Sequence, residues 1–147
     1  YVDGADQEMA ALSIVNDDIA ILDKTKFESN DEKYSGEGEI NLVSYEPNNL
    51  EYEFNSSSAQ LAVFSEIYYK EGWNAYLDGK EVGYIRANYI LRALDIPAGE
   101  HSILFKFEPK AYFLGNAIAL ISSVALLLIL CFGAFMVYRE SSLNKIN

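Results

Sequence analysis

The feature that most constrains this chain is an apolar run at residues 117–137. These twenty-one residues carry no charge, and their only polar members are Ser122 and Ser123. A bilayer core about 30 Å thick needs roughly 20 helical residues at 1.5 Å each, so the run is long enough to cross a membrane once. Aromatic residues, which favour the two membrane interfaces, lie near both ends of the run. The sequence therefore predicts one transmembrane α-helix at residues 113–138, because the rest of the chain is too polar to enclose such a helix in a soluble core.

The remainder of the chain is acidic. Residues 1–110 contain nine Lys or Arg against twenty-one Asp or Glu, and the whole chain has a formal net charge of -11. Nucleic acid and anionic membrane surfaces would be repelled, so neither is an expected partner of this part. The single cysteine, Cys131, lies within the apolar run, which leaves no disulfide framework.

Orientation in the membrane rests on size rather than on flanking charge. Lys106 and Lys110 before the run nearly balance Arg139 and Lys145 after it. The simplest arrangement places a large domain, residues 1–112, outside the cytoplasm and a short tail, residues 139–147, in the cytoplasm. The chain begins with Tyr1 and shows no signal peptide, so this placement predicts that it is the C-terminal piece of a longer protein.

The N-terminal segment has weaker periodicity. Residues 6–15 place Met9, Leu12 and Val15 at helical spacing after Asp6, a residue suited to cap the first turn, which predicts a short helix. Residues 19–22 form a brief apolar run that is compatible with a strand. Residues 29–36 are polar and contain glycine, which is typical of a loop.

From residue 38 onward the period changes to two, which indicates β-strands. A turn at residues 46–49, a turn at 97–100 and the two-residue hairpin signal Asp78-Gly79 separate the strands. Turn signals at this spacing are typical of an antiparallel β-sandwich, here predicted to be jelly-roll-like with a short N-terminal helix and one C-terminal transmembrane helix. The predicted strands cover residues 38–44, 50–54, 60–65, 73–77, 81–86, 89–94 and 102–107.

Aromatic residues cluster around one predicted turn and are candidate glycan contacts: Tyr68, Tyr69, Trp73 and Tyr76. Aromatic faces stack on the apolar C–H face of a sugar ring, and their polar groups bind hydroxyls. The alternative is that they close one end of the sandwich core.

A second set, Arg86, Asn88 and Arg92, lies on adjoining predicted strands and is a candidate anion contact. Two arginines can hold the phosphate of a lipid-linked donor or the carboxylate of an acidic polymer. The alternative is pairing with the abundant Glu and Asp side chains at the surface.

Two smaller features are a stripe of small residues and a single histidine. Gly115, Ala119 and Ser123 fall four apart along the apolar run, a small-residue stripe that lets another helix approach closely. His101 is the only histidine, and no second His or Cys accompanies it, so no metal site is expected.

An ordered set of short motifs precedes the membrane span: Glu66-Ile67-Tyr68-Tyr69, Gly72-Trp73, Tyr76-Leu77-Asp78-Gly79, Arg86-Ala87-Asn88-Tyr89, Leu91-Arg92-Ala93, Pro97-Ala98-Gly99-Glu100-His101 and Phe107-Glu108-Pro109-Lys110. This set, followed at once by the span, resembles the C-terminal end of the YfhO family of bacterial multi-pass membrane proteins. One departure is Lys70-Glu71, where the family usually has a shorter link before Gly72. Weaker similarity extends back to the helix near residue 10.

The resemblance implies a polytopic protein similar to GT-C-type glycosyltransferases, which transfer sugars from a polyprenyl-phosphate donor to cell-envelope polymers. In that architecture the catalytic carboxylates lie in an early outer loop, so this chain is expected to hold no catalytic residue and no cofactor. Its expected partners are the lipid bilayer, upstream transmembrane helices of the same protein, and the envelope polymer or polyprenyl-linked sugar. A non-enzymatic membrane-anchored binding or scaffold module of the cell envelope is the alternative, and a single-pass adhesion domain is a third. Upstream hydrophobic spans with an acidic pair in the first outer loop would distinguish the transferase.

Overall fold

The computed structural model describes residues 1–16, 18–29 and 33–143. It divides the chain into two units, Tyr1–Glu108 and a second that begins at Pro109. The predicted class, mainly antiparallel β with a short N-terminal helix and a C-terminal apolar helix, is confirmed. The elements are α1 (Ala5–Ala11), a 3-10 turn (Leu12–Ile14), β1 (Gly38–Glu46), β2 (Asn49–Ser56), β3 (Gln60–Ile67), β4 (Trp73–Leu77), β5 (Lys80–Val82), β6 (Ile85–Ala87), β7 (Leu91–Ile96), β8 (Gly99–Phe107) and α2 (Lys110–Leu143).

The strands form a five-stranded sheet of order β1-β2-β8-β4-β5 and a three-stranded sheet of order β3-β7-β6. All the pairings between these strands are antiparallel. The predicted β4–β5 hairpin is confirmed, with positive φ at Asp78 (51°) and Gly79 (78°), as a type I′ turn requires. The predicted turn between β1 and β2 is also confirmed, because β1 ends at Glu46 and β2 begins at Asn49.

The two sheets pack face to face around an apolar core, and a second, smaller apolar cluster packs Leu22 against Ala87 and Ala93 on the other face of the small sheet. Alternation along the strands directs one face of each sheet inward, so that every second residue of β2, β7 and β8 is shielded from water. Rings of Tyr52, Phe64 and Phe105 interlock edge to face across the gap, with centroids 4.9 to 6.3 Å apart. The buried members of this core are Leu50, Phe54, Phe64, Ala75, Leu94, Ile96, Ile103 and Phe105.

One predicted strand, residues 81–86, was wrong as a single element. β5 belongs to the large sheet and β6 to the small one, so the chain changes sheets at residues 83–84. Tyr84 packs against the core there, and its hydroxyl donates to the carbonyls of Tyr69 and Trp73 at 2.9 and 3.2 Å. Burial raises the pKa of Tyr84 to about 12, so this donor keeps its proton at physiological pH. The strand predicted at residues 89–94 begins later, at Leu91, because a turn occupies residues 88–90.

The N-terminal segment also differs from its prediction. The helix at residues 6–15 is shorter, and its N-cap is Gly4 rather than Asp6. The Asp23 carboxylate accepts from the Gly4 and Thr25 N–H groups, and a stronger bond from the Thr25 hydroxyl at 2.6 Å lowers the pKa of Asp23. Residues 19–22 form no regular strand. Ile21 exchanges hydrogen bonds with Asn88, whereas the carbonyl of Leu22 accepts from the N–H of Val2. Part of the loop predicted at residues 29–36, and the end of the predicted tail, lie outside the described residues.

The C-terminal unit is the long helix α2, which contains a candidate membrane span, Lys110–Met136. The apolar run predicted as transmembrane lies within α2. Its two polar side chains are satisfied inside the helix, because the hydroxyls of Ser122 and Ser123 donate to the carbonyls of Ile118 and Ala119 at 2.8 Å. Both serine hydroxyls of the apolar run therefore have acceptors within the helix, which suits a lipid environment.

Candidate functional site

The structure brings the two candidate arginines together. Arg86 on β6 and Arg92 on β7 are directly paired in the antiparallel register, so both side chains leave the same face of the small sheet. That face is the one turned toward the large sheet, since Leu94 and Ile96 on β7 belong to the shared core. Arg92 therefore lies between the sheets, whereas Arg86, on the edge strand β6, is partly exposed and contacts the N-terminal segment.

Arg86 is held by a buried carboxylate from the N-terminal helix. Its Nη2 lies 2.7 Å from Oε2 of Glu8, a residue of α1 with no exposed surface. The other oxygen of Glu8 accepts from the N–H of Tyr89 at 2.8 Å. Phe27 and Tyr89 place their rings 5.4 and 5.6 Å from the guanidinium carbon, which adds cation–π attraction. Glu8 was not singled out by sequence reasoning, because its partners lie about eighty residues further along the chain.

Arg92 is the more deeply buried of the two, with only 2% of its surface exposed. Its Nε donates to the carbonyl of Ile67 at 2.9 Å, and its guanidinium carbon lies 4.2 Å from the ring centroid of Trp73 and 5.2 Å from that of Phe105. Its Nη1 has no hydrogen-bond partner in the described structure. Burial lowers the pKa of Arg92 below its ordinary value. Aromatic faces therefore take the place of a carboxylate beside this cation.

Asn88 fastens the N-terminal segment to the small sheet. Its N–H donates to the carbonyl of Ile21 at 2.9 Å, and its side-chain oxygen accepts from the N–H of Ile21 at 2.8 Å. Asn88 adopts a positive φ of 49°, which asparagine tolerates better than most residues. Together with Arg86 and Glu8, it joins the first part of the chain to β6 and β7.

The four candidate aromatic residues do not form one surface. Trp73 faces the core and lies against Phe107 and Arg92, whereas Tyr76 leaves the opposite face of β4. Tyr68 packs edge to face against Phe27 and Tyr84, and Tyr69 is half exposed. The structure thus separates a core group from two side chains that reach the surface.

Tyr76 takes part in a polar network on the outer face of the large sheet. Its hydroxyl donates to Oε2 of Glu108 at 2.9 Å, and Lys106 lies 2.8 Å from the other oxygen of Glu108. Lys106, followed by Tyr76, lowers the pKa of Glu108, while the bond to Glu108 raises the pKa of Tyr76. Glu108 is therefore held as a carboxylate that orients the tyrosine ring.

His101 is paired with a carboxylate. Its Nδ1 lies 2.7 Å from Oδ2 of Asp78, in the β4–β5 hairpin, and its ring stacks on Phe54. The bond to Asp78 raises the pKa of His101, and the same bond lowers the pKa of Asp78. Among the described residues, no group of three His, Cys, Asp or Glu side chains is placed to hold a metal ion.

The outer face of the large sheet has a cleft of about 520 Å³. This cleft was not predicted from the sequence. The cross-strand register explains it, because Asn41 pairs with Glu53, and Glu53 with Ser102, across three neighbouring strands. Alternation along β1 and β2 could have indicated a polar face, but the neighbouring strand β8 comes from the far end of the domain. The side chains that line the cleft on this outer face are Glu39, Asn41, Glu53, Asn55, Glu100 and Ser102.

The small-residue stripe lies along α2. Gly115, Ala119 and Ser123 are spaced four apart within one uninterrupted helix, so they share a face. An added Cβ at Gly115 would meet nothing within 4 Å. The stripe remains a predicted packing surface for another membrane helix.

A β-sandwich domain followed in sequence by a helix long and apolar enough to cross a membrane is typical of a class, the membrane proteins with a β-rich domain. Comparison with family models gives a match to the family described as bacterial membrane protein YfhO, over residues 9–119. The match includes all eight strands and the first part of α2. Because it covers well over half of the 147 residues, the chain belongs to the YfhO family and is associated with the membrane. No curated protein and no solved structure matches the chain in the corresponding comparisons.

Proposed function

We propose that this chain is a non-catalytic accessory domain, with its last membrane helix, of a larger YfhO-family protein that transfers sugar from a lipid-linked donor to a cell-envelope polymer. Family membership and the resemblance to GT-C-type transferases support the transferase setting. The domain would position the acceptor polymer, while the chemistry takes place in the upstream membrane region.

One observation supports the accessory role: the two candidate anion-binding arginines make structural contacts inside the domain. Arg86 is ion-paired with buried Glu8, and Arg92 lies between the sheets with 2% exposure. A guanidinium that recognises phosphate needs free N–H groups at an accessible surface. These arginines instead hold the N-terminal helix and the two sheets together, which supports a structural part in transfer.

An acceptor titration of the whole protein in membranes tests this proposal. The variant Glu8→Ala removes the carboxylate that holds α1, and Glu81→Ala removes an exposed carboxylate on β5 as a control. If the domain positions the polymer, Glu8→Ala raises KM for the polymer and leaves kcat at saturating acceptor close to that of the control. A matched fall in kcat with unchanged KM, at equal protein in the membrane, would contradict the accessory role.

We also propose that the domain lies outside the cytoplasm and that the C-terminus lies inside. The acidic charge of residues 1–110 and the short tail support this placement. Ser57 lies in the exposed turn between β2 and β3, so Ser57→Cys in a Cys131→Ser background provides a labelling site. A membrane-impermeant maleimide should label it in intact cells, and labelling only after lysis would reverse the orientation.

A second candidate, a non-enzymatic membrane-anchored binding module, is favoured by the exposed apolar side chains of β1. Ile40, Leu42 and Tyr45 are 40%, 51% and 66% exposed although they belong to a strand that is paired with β2. Membranes that contain the whole protein distinguish the candidates. Sugar transfer from a polyprenyl-phosphate-linked donor supports the transferase, and its absence with retained protein binding supports the module.

A further inference from the structure

The strand β1 forms the outer edge of the large sheet and is exposed on both faces. Within the described ranges its one strand partner is β2, and no residue of β1 is buried. An edge strand presents unpaired N–H and C=O groups that can accept a further strand.

One face of β1 is apolar and continuous with the core. Ile40, Leu42 and Tyr45 are paired across the sheet with Phe54, Tyr52 and Leu50, so they point toward the inside of the sandwich. Phe54 and Leu50 are buried, whereas the β1 side chains are not, because the small sheet has fewer strands and ends at β3. Tyr52 packs against Phe64 of β3, which places β3 over β2 and leaves nothing among the described strands over β1.

The other face of β1 is acidic and continuous with the cleft. Glu39 and Asn41 line the cleft together with Glu53 on the next strand and Glu100 on the one beyond. Residues 38–67, which comprise β1, β2, β3 and their turns, include five Glu and no Lys or Arg. A ligand of this edge therefore meets negative charge that no neighbouring cation of these strands offsets.

From these two faces we propose that β1 is a docking edge for a strand of another protein in which apolar and basic side chains alternate. Main-chain bonds join the strands, the apolar side chains cover Ile40 and Leu42, and the basic ones lie beside Glu39 at the mouth of the cleft. A register shift between Leu42 and Ser44 interrupts the regular edge, so the docking segment is residues 38–42.

The negative charge of β1 argues against two other partners for this edge, a second copy of the chain and an anionic lipid surface. Two copies paired through β1 would bring Glu39 and Glu46 of one copy near the same carboxylates of the other, and like charges across neighbouring strands are destabilising. An anionic lipid surface would be repelled by the same carboxylates. The partner is thus a basic amphipathic strand. This proposal does not depend on any role of the protein in sugar transfer.

The test uses the full chain in nanodiscs of zwitterionic lipid and a labelled peptide in which lysine alternates with valine. Fluorescence anisotropy should show saturable binding, and a peptide of the same composition with its lysines grouped at one end should bind weakly. Hydrogen exchange should show protection of residues 38–42 when the alternating peptide is bound. Equal binding of the two peptides, or protection confined to another segment, would overturn the proposal.

Two charge reversals at different positions distinguish an effect of charge at the β1 edge from an effect of the net charge of the chain. Glu39→Lys on β1 should weaken binding at least about fivefold, because a cross-strand attraction becomes a repulsion. Glu81→Lys, an exposed position on the opposite edge strand β5, makes the same change in net charge and should leave binding nearly unchanged. Leu42→Lys should abolish binding without unfolding the domain, since the side chain is already 51% exposed. An equal loss of binding in Glu81→Lys would overturn the proposal. Protection of residues 38–42 that grows with protein concentration in the absence of peptide would also overturn it, because the edge would then bind a second copy of the chain.

Discussion

Replacing Glu8 with alanine should destabilise the sandwich, because this carboxylate joins α1 to the turn between β6 and β7. The change removes a 2.7 Å bond to Arg86 and a 2.8 Å bond to the N–H of Tyr89, both from a side chain with no exposed surface. Breaking a buried ion pair by removing one partner costs about 3–5 kcal/mol. The Arg86 side chain is 20% exposed and regains some water, so we expect a loss near 3 kcal/mol.

Denaturant unfolding of the full chain in detergent micelles measures this loss. Trp73 is the only tryptophan and lies against Arg92 in the core, so its emission reports on the packing of the sheets. Glu81→Ala removes an exposed carboxylate and should change the free energy of unfolding by less than about 0.5 kcal/mol. A double-mutant cycle with Arg86→Met should give a coupling energy of about 1–3 kcal/mol. A loss below about 1 kcal/mol for Glu8→Ala would refute the view that this ion pair anchors the N-terminal helix.

Two further predictions concern packing and pH. Gly72→Ala should lower the free energy of unfolding by about 1–3 kcal/mol, because an added Cβ would overlap the ring of Phe107. Gly83→Ala is the control: its Cβ would meet nothing within 4 Å, so the same unfolding assay should show almost no change. The hydrogen bond to Asp78 raises the pKa of His101, so the stability it contributes is fully present below the ordinary histidine pKa and is lost as pH rises through the elevated value. Thermal unfolding on both sides of that pH should show the decrease, and an identical decrease in His101→Gln would assign it to another group.

The parts of the fold that depend only on residues close together in the sequence could be predicted. The Asp78-Gly79 hairpin is determined by two residues that accept positive φ, and the apolar run of α2 by its own length. The change of sheet between β5 and β6 could not be predicted in this way. It depends on Tyr84 entering a core built from both sheets, and nothing in the local alternation marks it.

The candidate site shows the same division. Arg86 and Arg92 could be recognised as a pair on adjoining strands, since the turn between them is short. The ion pair of Arg86 and the burial of Arg92 could not be predicted, because they depend on Glu8 at the start of the chain and on Trp73 of the opposite sheet. Charge alone favoured a surface location, and long-range packing decided otherwise.

The position of β8 in the sheet bears on when the domain can fold during synthesis. β8 lies between β2 and β4 and supplies the buried residues Ile103 and Phe105, yet it is the last strand in the sequence. Only two residues separate its end at Phe107 from the start of α2 at Lys110. The large sheet therefore stays incomplete until the ribosome reaches the membrane helix, so the final folding step and the insertion of α2 fall in the same short interval. Until then, β2 and β4 each keep an edge whose N–H and C=O groups lack their partner strand.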